Sequence, residues 1–310
     1  MPSIVPFSDR ISMSPAASLC AVLLSLAGAT AANAQPVTDP VDGARTDLPV
    51  AGEITLFQSP GRVMVMMRVG DGDLLPMVFD TGSDGNTIDL SLVDRLKLEK
   101  IGEVQEVDGS TGHVRILPSV ALRDLTIGGL PVGSIDAAAV EYDRNDAMGI
   151  FSSETFTRSL LYLDLASGRA VLTARDAATR PAQAPVDYVD GLPTVHMVMP
   201  DGSTLAAHFD TGFDGALSLP LSMIDKVPLE RPAEVVGRFR SISQEGDVYG
   251  GRIKGTVRIG PVVLENPEVT FLGDIANIGL PIIRKLTLVI DAEADRNWVL
   301  APGSLPEAGQ

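Results

Sequence analysis

A seven-residue pattern, Phe-Asp-Thr-Gly-x-Asp-Gly, occurs twice in this chain, and its spacing constrains the fold more than any other feature. The first copy covers residues 79–85 and the second covers 209–215, a shift of 130 positions. An apolar residue followed by glycine stands 69 positions after each aspartate of the Asp-Thr-Gly, at Gly149 and at Gly279. Two matched segments at one shift indicate a duplicated unit, so the sequence predicts two homologous lobes.

The segments between these landmarks have the periodicity of strands. They alternate apolar with polar residues or run apolar, and predicted strands include 62–69, 75–79, 114–122, 194–199 and 286–290. Short helices are predicted after the landmarks, at 92–96, 154–160, 221–226 and 282–285, where Ser91, Ser153 and Ser218 stand as candidate caps and Pro220 and Pro281 suit a first turn. The sequence therefore predicts a mostly β protein with a few short helices.

The repeat also divides the chain into segments. Lobe 1 is predicted at 52–175 and lobe 2 at 188–303, joined by a polar, proline-containing linker at 176–187. An N-terminal extension at 35–51 and a C-terminal tail at 304–310 complete the mature chain.

The first 34 residues are typical of an export signal. An apolar run at 16–32 follows Arg10, is too short and alanine-rich for a spanning helix, and leads into the small-x-small sequence Ala32-Asn33-Ala34. Cleavage is predicted between Ala34 and Gln35, and the mature protein is expected in the periplasm or secreted. No later stretch is long enough to cross a membrane, so no stable membrane insertion is expected after signal removal.

Composition excludes several classes of function. The chain has 40 acidic and 24 basic residues and a net charge of −16, which argues against a nucleic-acid partner. One cysteine excludes a disulfide framework or a Cys-rich metal site, and three histidines leave little for a His-based centre. We therefore expect no metal and no cofactor, and carboxylates as the chemical groups of any active site.

The repeated Asp-Thr-Gly has a chemical interpretation. A strand that ends in aspartate places the carboxylate at a loop tip, and glycine allows a tight turn and close backbone approach. Two such loops facing each other would place two carboxyls about 3 Å apart, where they share one proton. The ionised member can then take a proton from a bound water while the protonated member donates to the carbonyl under attack.

The sequence resembles the retropepsin-like aspartic proteases, from about Gly52 to Pro302. The resemblance implies two retropepsin-like β-barrel lobes fused in one chain, with the active site between them. It also implies a reaction that proceeds without a covalent enzyme adduct. It implies a catalytic pair, Asp80 and Asp210, supported by Thr81, Gly82, Ser83, Thr211, Gly212 and Phe213, and loop-bracing residues Met148, Gly149, Ile278 and Gly279.

Two further features of the sequence bear on the site. Phe213 follows the second motif where Ser, Thr or Ala is usual, as in some small prokaryotic relatives, and its side chain cannot donate a hydrogen bond to the carboxylate, so the two acids need not be equivalent. A substrate-covering flap is expected between motif and brace. Its candidate residues are Gly109, Ser110, Thr111 and Gly112 in lobe 1, and Tyr249 and Gly250 within the turn predicted at 246–251 in lobe 2.

These observations predict an exported, monomeric aspartic endopeptidase that binds an extended peptide between its lobes. One alternative is a catalytically inactive peptide-binding or regulatory module that keeps the fold. Another is a domain-swapped dimer, in which each lobe pairs with a lobe of a second chain. The physiological substrate and its side-chain preference do not follow from the sequence.

Overall fold

The computed structural model describes residues 48–59, 61–107, 114–142, 147–240 and 245–306. The strands of the first half are β1 (Gly52–Ser59), β2 (Arg62–Val69), β3 (Leu75–Asp80), β4 (Thr87–Asp89), β5 (Glu99–Val107), β6 (Val114–Ile127), β7 (Leu130–Val140), β8 (Gly149–Ser152), β9 (Ser159–Asp164) and β10 (Arg169–Ala174).

The second half repeats this arrangement with shorter strands. They are β11 (Val186–Asp187), β12 (Thr194–Val198), β13 (Thr204–Phe209), β14 (Leu217–Leu219), β15 (Glu234–Arg240), β16 (Glu245–Arg252), β17 (Thr256–Ile259), β18 (Val262–Glu265), β19 (Glu268–Phe271), β20 (Asn277–Ile278), β21 (Thr287–Asp291) and β22 (Arg296–Leu300). The protein is mostly β, as the sequence predicts.

Helices are few and short among the described residues. They are α1 (Leu90–Arg95), α2 (Leu280–Ile283) and single 3-10 turns at Ser153–Thr155, Leu221–Met223 and Ala292–Ala294. All four predicted helices are present, but each is shorter or shifted. The cap of α1 is Asp89, two residues before the predicted serine cap Ser91, and its carboxylate accepts from the backbone N–H of Ser91 at 2.9 Å. Pro281 occupies the first turn of α2, as predicted.

The strands form two sheets. The first has 13 strands in the order β11-β22-β21-β9-β10-β1-β2-β3-β8-β4-β7-β6-β5, with an additional β2–β6 pairing that curls its far end. The second has nine strands in the order β15-β16-β19-β14-β20-β13-β12-β17-β18. No helix in the described part of the chain is both long and apolar enough to cross a membrane.

The first sheet takes strands from both halves of the sequence. β9 pairs antiparallel with β21, and Tyr162 lies opposite Val289 in this pair. These two residues also correspond in the repeated tails of the two halves, so a pseudo-two-fold axis passes between them. Outward from the axis, β10 and β1 on one side match β22 and β11 on the other. The lobes are therefore joined by a continuous ladder of backbone hydrogen bonds.

The segment between β10 and β11 contains no regular secondary structure, and side chains attach it to the joined sheet. Arg175 forms a 2.6 Å ion pair with Asp291. The indole N–H of Trp298, a buried residue of β22, donates to the carbonyl of Gln183 at 3.0 Å. The hydroxyl of Tyr162 donates to the carbonyl of Thr179.

Candidate active site

Both motif aspartates stand where a buried strand ends. Asp80 is the last residue of β3, which pairs in parallel with β8, and Asp210 directly follows β13, which pairs in parallel with β20. The two carboxyl side chains are almost completely buried, with 2% of each residue exposed. Because the apolar strands β3 and β13 are fixed in the core, the backbone holds both carboxyls at the ends of these strands, where the two motif loops meet.

The two threonines bind the loops to each other through four hydrogen bonds. The Thr81 N–H donates to the Thr211 hydroxyl at 3.0 Å, and the Thr211 N–H donates to the Thr81 hydroxyl at 3.2 Å. Each hydroxyl in turn donates across the interface at 2.6 Å, from Thr81 to the Phe209 carbonyl and from Thr211 to the Phe79 carbonyl. This symmetric set confirms that the repeated motifs meet, and it fixes the spacing of the aspartates.

The motif glycines are required for the close approach of the two loops. A Cβ on Gly82 would lie 2.8 Å from Cγ of Asp210, and a Cβ on Gly212 would lie 2.7 Å from Oδ2 of Asp80. Each glycine also donates its N–H to the aspartate of its own motif at 2.8 Å. Any side chain at either position would therefore push the carboxyls apart.

The two carboxyls share a hydrogen bond, and their acidities differ from those of exposed carboxyls. Burial raises the pKa of Asp80, opposed by hydrogen bonds from the N–H groups of Gly82 and Gly212. Burial, and next the negative charge of Asp80, raise the pKa of Asp210 well above its ordinary value. This is the pattern of two acids that hold one proton between them.

The predicted bracing residues lie beneath the loops. Gly149 has a φ of 146°, and a Cβ there would lie 2.2 Å from the carbonyl oxygen of Thr87. A Cβ on Gly279 would lie 2.0 Å from the carbonyl oxygen of Gly215. Of their apolar neighbours, Ile278 is buried and accepts from the Asp210 N–H at 2.9 Å, whereas Met148 is half-buried and packs against the main core.

Ser83 and Phe213 do not support the carboxyls in the way their positions suggest. The Ser83 hydroxyl donates to the Gly85 carbonyl at 2.8 Å, so it is turned away from Asp80. The Phe213 ring is buried so closely against Gly215 that a Cβ there would lie 2.3 Å from the ring. Both residues therefore contact their own loop. The side chains of Ser83 and Phe213 do not explain why the pKa values of Asp80 and Asp210 differ.

The flap prediction lies partly outside the described residues. Gly109, Ser110, Thr111 and Gly112 fall in the undescribed segment 108–113, between β5 and β6. Tyr249 and Gly250 belong to β16, so the turn predicted at 246–251 is wrong, and this segment is one arm of the hairpin β15–β16. The residues between the arms, 241–244, are not described. A covering role for Tyr249 and Gly250 stays a prediction.

Sequence reasoning missed Asn86, which ties the first catalytic loop to its brace. Its side-chain oxygen accepts from the Ser152 N–H at 3.0 Å and from the Thr155 hydroxyl at 3.1 Å. The Ser152 hydroxyl donates back to the carbonyl of Ser83. Since the repeat shift places Ala216 opposite Asn86, the repeat itself gave no signal for this contact.

His208, two residues before Asp210, is a packing residue. It is buried, its Nδ1 lies 3.3 Å from the Thr194 hydroxyl, and burial lowers the pKa of its imidazole. Among the described residues no group of His, Cys, Asp and Glu is arranged to hold a metal ion.

A protein-family comparison assigns the first lobe. The family model for aspartyl proteases matches residues 65–155, from β2 through the Asp80 loop to the Gly149 brace. This part of the chain is therefore similar to aspartyl proteases. A search of curated proteins found no match. The Asp210 loop lies outside the matched residues, so its relation to the aspartyl protease domain rests on the duplicated sequence and on the reciprocal threonine contacts.

Proposed function

We propose that the protein is an exported aspartic endopeptidase whose catalytic pair is Asp80 and Asp210. The observation that carries this proposal is the buried, hydrogen-bonded carboxyl pair between the two Asp-Thr-Gly loops. Burying two adjacent carboxyls is costly unless they share a proton, and such an arrangement is suited to acid–base chemistry rather than to stability. The aspartyl protease domain in the first lobe supports peptide-bond hydrolysis as the reaction.

The proposed reaction uses the two acids in opposite roles. Asp80, ionised, takes a proton from a water molecule held between the carboxyls while the water oxygen attacks the peptide carbonyl carbon. Asp210, protonated, donates its proton to the carbonyl oxygen, which gives a neutral tetrahedral diol. Collapse of the diol breaks the C–N bond as a proton passes from Asp80 to the departing nitrogen, and Asp210 takes its proton back from a diol hydroxyl.

The substrate is proposed to be an extended peptide or protein segment bound between the lobes, with no cofactor and no nucleic acid involved. An extended chain can add main-chain hydrogen bonds to strand edges such as those of β15 and β16. The single chain supplies both catalytic loops, which supports a monomer. The signal-like residues 1–34 support export to the periplasm or beyond, with cleavage after Ala34.

A peptide-cleavage experiment tests the catalytic pair. Purified mature protein is incubated with a diverse peptide mixture from about pH 3 to about pH 8, and new termini are identified by mass spectrometry. Asp80→Asn and Asp210→Asn are each expected to reduce the cleavage rate by about 10⁴-fold or more. Asp214→Asn, an exposed aspartate of the same loop, is the matched control and should keep wild-type activity.

Two outcomes would contradict the proposal. Full activity in either catalytic variant would remove that residue from the mechanism. Retention of peptides by the folded wild-type protein without cleavage at any pH would favour the inactive binding module instead.

A further inference from the structure

A cavity of about 500 Å³ opens in the second lobe beside the catalytic loop. One wall is the chain that leaves the Asp210 motif, including Ala216 and Leu217, and the opposite wall is the β15–β16 hairpin. Val236 and Val269 add apolar surface, and Val236 is 62% exposed, so an apolar side chain lies uncovered in the cavity. This volume lies within the range of ligand pockets in proteins.

Small residues line the hairpin wall of the cavity, and the first lobe differs at a position matched to the opposite wall. Gly250 and Gly251 line the hairpin wall, where a Cβ would meet Val236 at 2.6 Å and Leu229 at 3.2 Å respectively. At the position that corresponds to Ala216, the first lobe has Asn86, whose amide is engaged with Ser152 and the following turn. The two lobes therefore offer different surfaces beside otherwise symmetric carboxyls.

The rim of the cavity has an excess of negative charge. Three glutamates and two arginines line it, and Arg252 pairs with Glu268 at 2.5 Å. The other three charged residues of the rim are Glu230, Glu234 and Arg231, and none of them forms an ion pair with another described residue. The rim therefore has one net negative charge, on a protein whose total charge is −16.

We propose that this cavity is a specificity subsite for a long basic side chain, lysine or arginine, of the peptide substrate. This inference rests on the proposed endopeptidase function. The aliphatic stem of such a side chain would lie against Val236 and Val269 while its charged end reaches the rim carboxylates, as long cationic side chains do at apolar surfaces with a polar edge. The acidic surface of the protein would also favour the approach of basic peptides.

The test compares octapeptides of one neutral sequence in which a single position is varied. At each position in turn the residue is lysine, norleucine, glutamine or glutamate, and kcat/KM is measured for wild type and for Glu230→Gln/Glu234→Gln. At one position, wild type should prefer lysine over norleucine by about fivefold, as expected for exposed ion pairs, and high salt should reduce this preference. The double variant should lose the lysine preference and still cleave the norleucine peptide.

The control variant is Glu265→Gln/Glu293→Gln, which removes the same charge from exposed positions outside the cavity and should keep the preference. If the wild-type enzyme cleaves lysine and norleucine peptides equally at every position, the proposed subsite is wrong. The subsite is also wrong if the lysine preference survives in the Glu230→Gln/Glu234→Gln variant. Neither result contradicts the proposed endopeptidase function.

Failure of the endopeptidase itself is distinguished by binding. If no peptide is cleaved, fluorescence anisotropy of labelled peptides on the wild-type protein measures the cavity directly. Tighter binding of a lysine peptide, lost in the Glu230→Gln/Glu234→Gln variant, supports the subsite although the reaction is wrong. Equal binding of the lysine and norleucine peptides, or no binding, overturns it.

Discussion

At the scale of single residues, the same backbone pattern supports two carboxyls that act differently. Asp80 accepts from the N–H groups of Gly82 and Gly212, and Asp210 accepts from those of Gly212 and Phe213. The numbers of backbone donors match, so these bonds do not separate the acids. Burial raises the pKa of both carboxyls, but the hydrogen bond between the two side chains lowers the pKa of Asp80 and raises that of Asp210, as does the negative charge of Asp80.

The proton shared by Asp80 and Asp210 leads to a prediction about pH. Activity should disappear in acid when both carboxyls are protonated and in base when both are ionised, so kcat/KM should follow a bell-shaped curve. Because burial raises both pKa values above the ordinary 3.8, the acidic limb should lie above pH 3.8. Measurement of kcat/KM against pH checks this, and full activity well below that value would contradict it.

A second residue-scale prediction concerns the threonine contacts. Thr211→Val removes the hydroxyl that bonds the Phe79 carbonyl and the Thr81 N–H, and it leaves both groups buried without that partner. The free energy of unfolding should fall by about 2–5 kcal/mol, and activity should fall with it. Thr211→Ser keeps the hydroxyl and is the control, expected to stay close to wild type in urea denaturation. Equal losses in both variants would show that packing, not hydrogen bonding, matters here.

The repeat made most of this site predictable, because residues that occur twice at one shift are expected at corresponding positions in both lobes. Asp80, Thr81 and Gly82 were found with their counterparts for that reason. Asn86 was not found, because its contact with Ser152 depends on how one lobe packs and has no copy in the other.

At the scale of elements, the β15–β16 hairpin shows why the turn predicted from the composition of residues 246–251 was wrong. The glycines and the aspartate of 246–251 are typical of turns, yet these residues form β16. Gly250 and Gly251 are small because Val236 and Leu229 pack against that strand, not because the chain reverses there. Applying the shift of 130 to the undescribed segment 108–113 gives 238–243, which overlaps the gap between β15 and β16.

The joined sheet provides an element-scale prediction. Leu163 lies fully buried in β9, opposite Leu288 of β21. Leu163→Ala should reduce the free energy of unfolding by about 2–5 kcal/mol, through lost burial and the cavity it leaves. Leu74→Ala, at a half-exposed site outside the strands, should change stability by less than about 0.5 kcal/mol in the same urea titration. A small loss at Leu163 would mean that the two halves are weakly joined.

At the scale of the whole molecule, a titratable contact lies where the two halves meet. Tyr188, which follows β11, donates its hydroxyl to Glu154 of the first half at 3.1 Å. Burial raises the pKa of the Glu154 carboxyl to about 8, although the hydrogen bond from Tyr188 opposes this. Glu154 therefore stays protonated in the folded protein at a pH where it is ionised in the unfolded chain.

The sign of the resulting pH effect is fixed by this difference. Between the unfolded value of 4.5 and the folded value of about 8, the folded state holds an extra proton, so the free energy of unfolding should fall as pH rises. Glu154→Gln cannot titrate and should flatten this part of the curve in urea denaturation at a series of pH values. Glu293→Gln, an exposed control, should keep the wild-type slope, and an unchanged slope in Glu154→Gln would contradict the assignment.

The mirrored order β11-β22-β21-β9-β10-β1 also bears on how the chain could be divided. No strand pairing in the described residues depends on the covalent link between β10 and β11, since each half contributes its own three strands and strands of different halves pair only where β9 meets β21. Two separately encoded fragments, cut at exposed Ala182, should reassemble when co-expressed. One fragment contains Asp80 and the other contains Asp210, so peptide hydrolysis would occur only when the two fragments associate. The split protein could therefore serve as a two-component sensor.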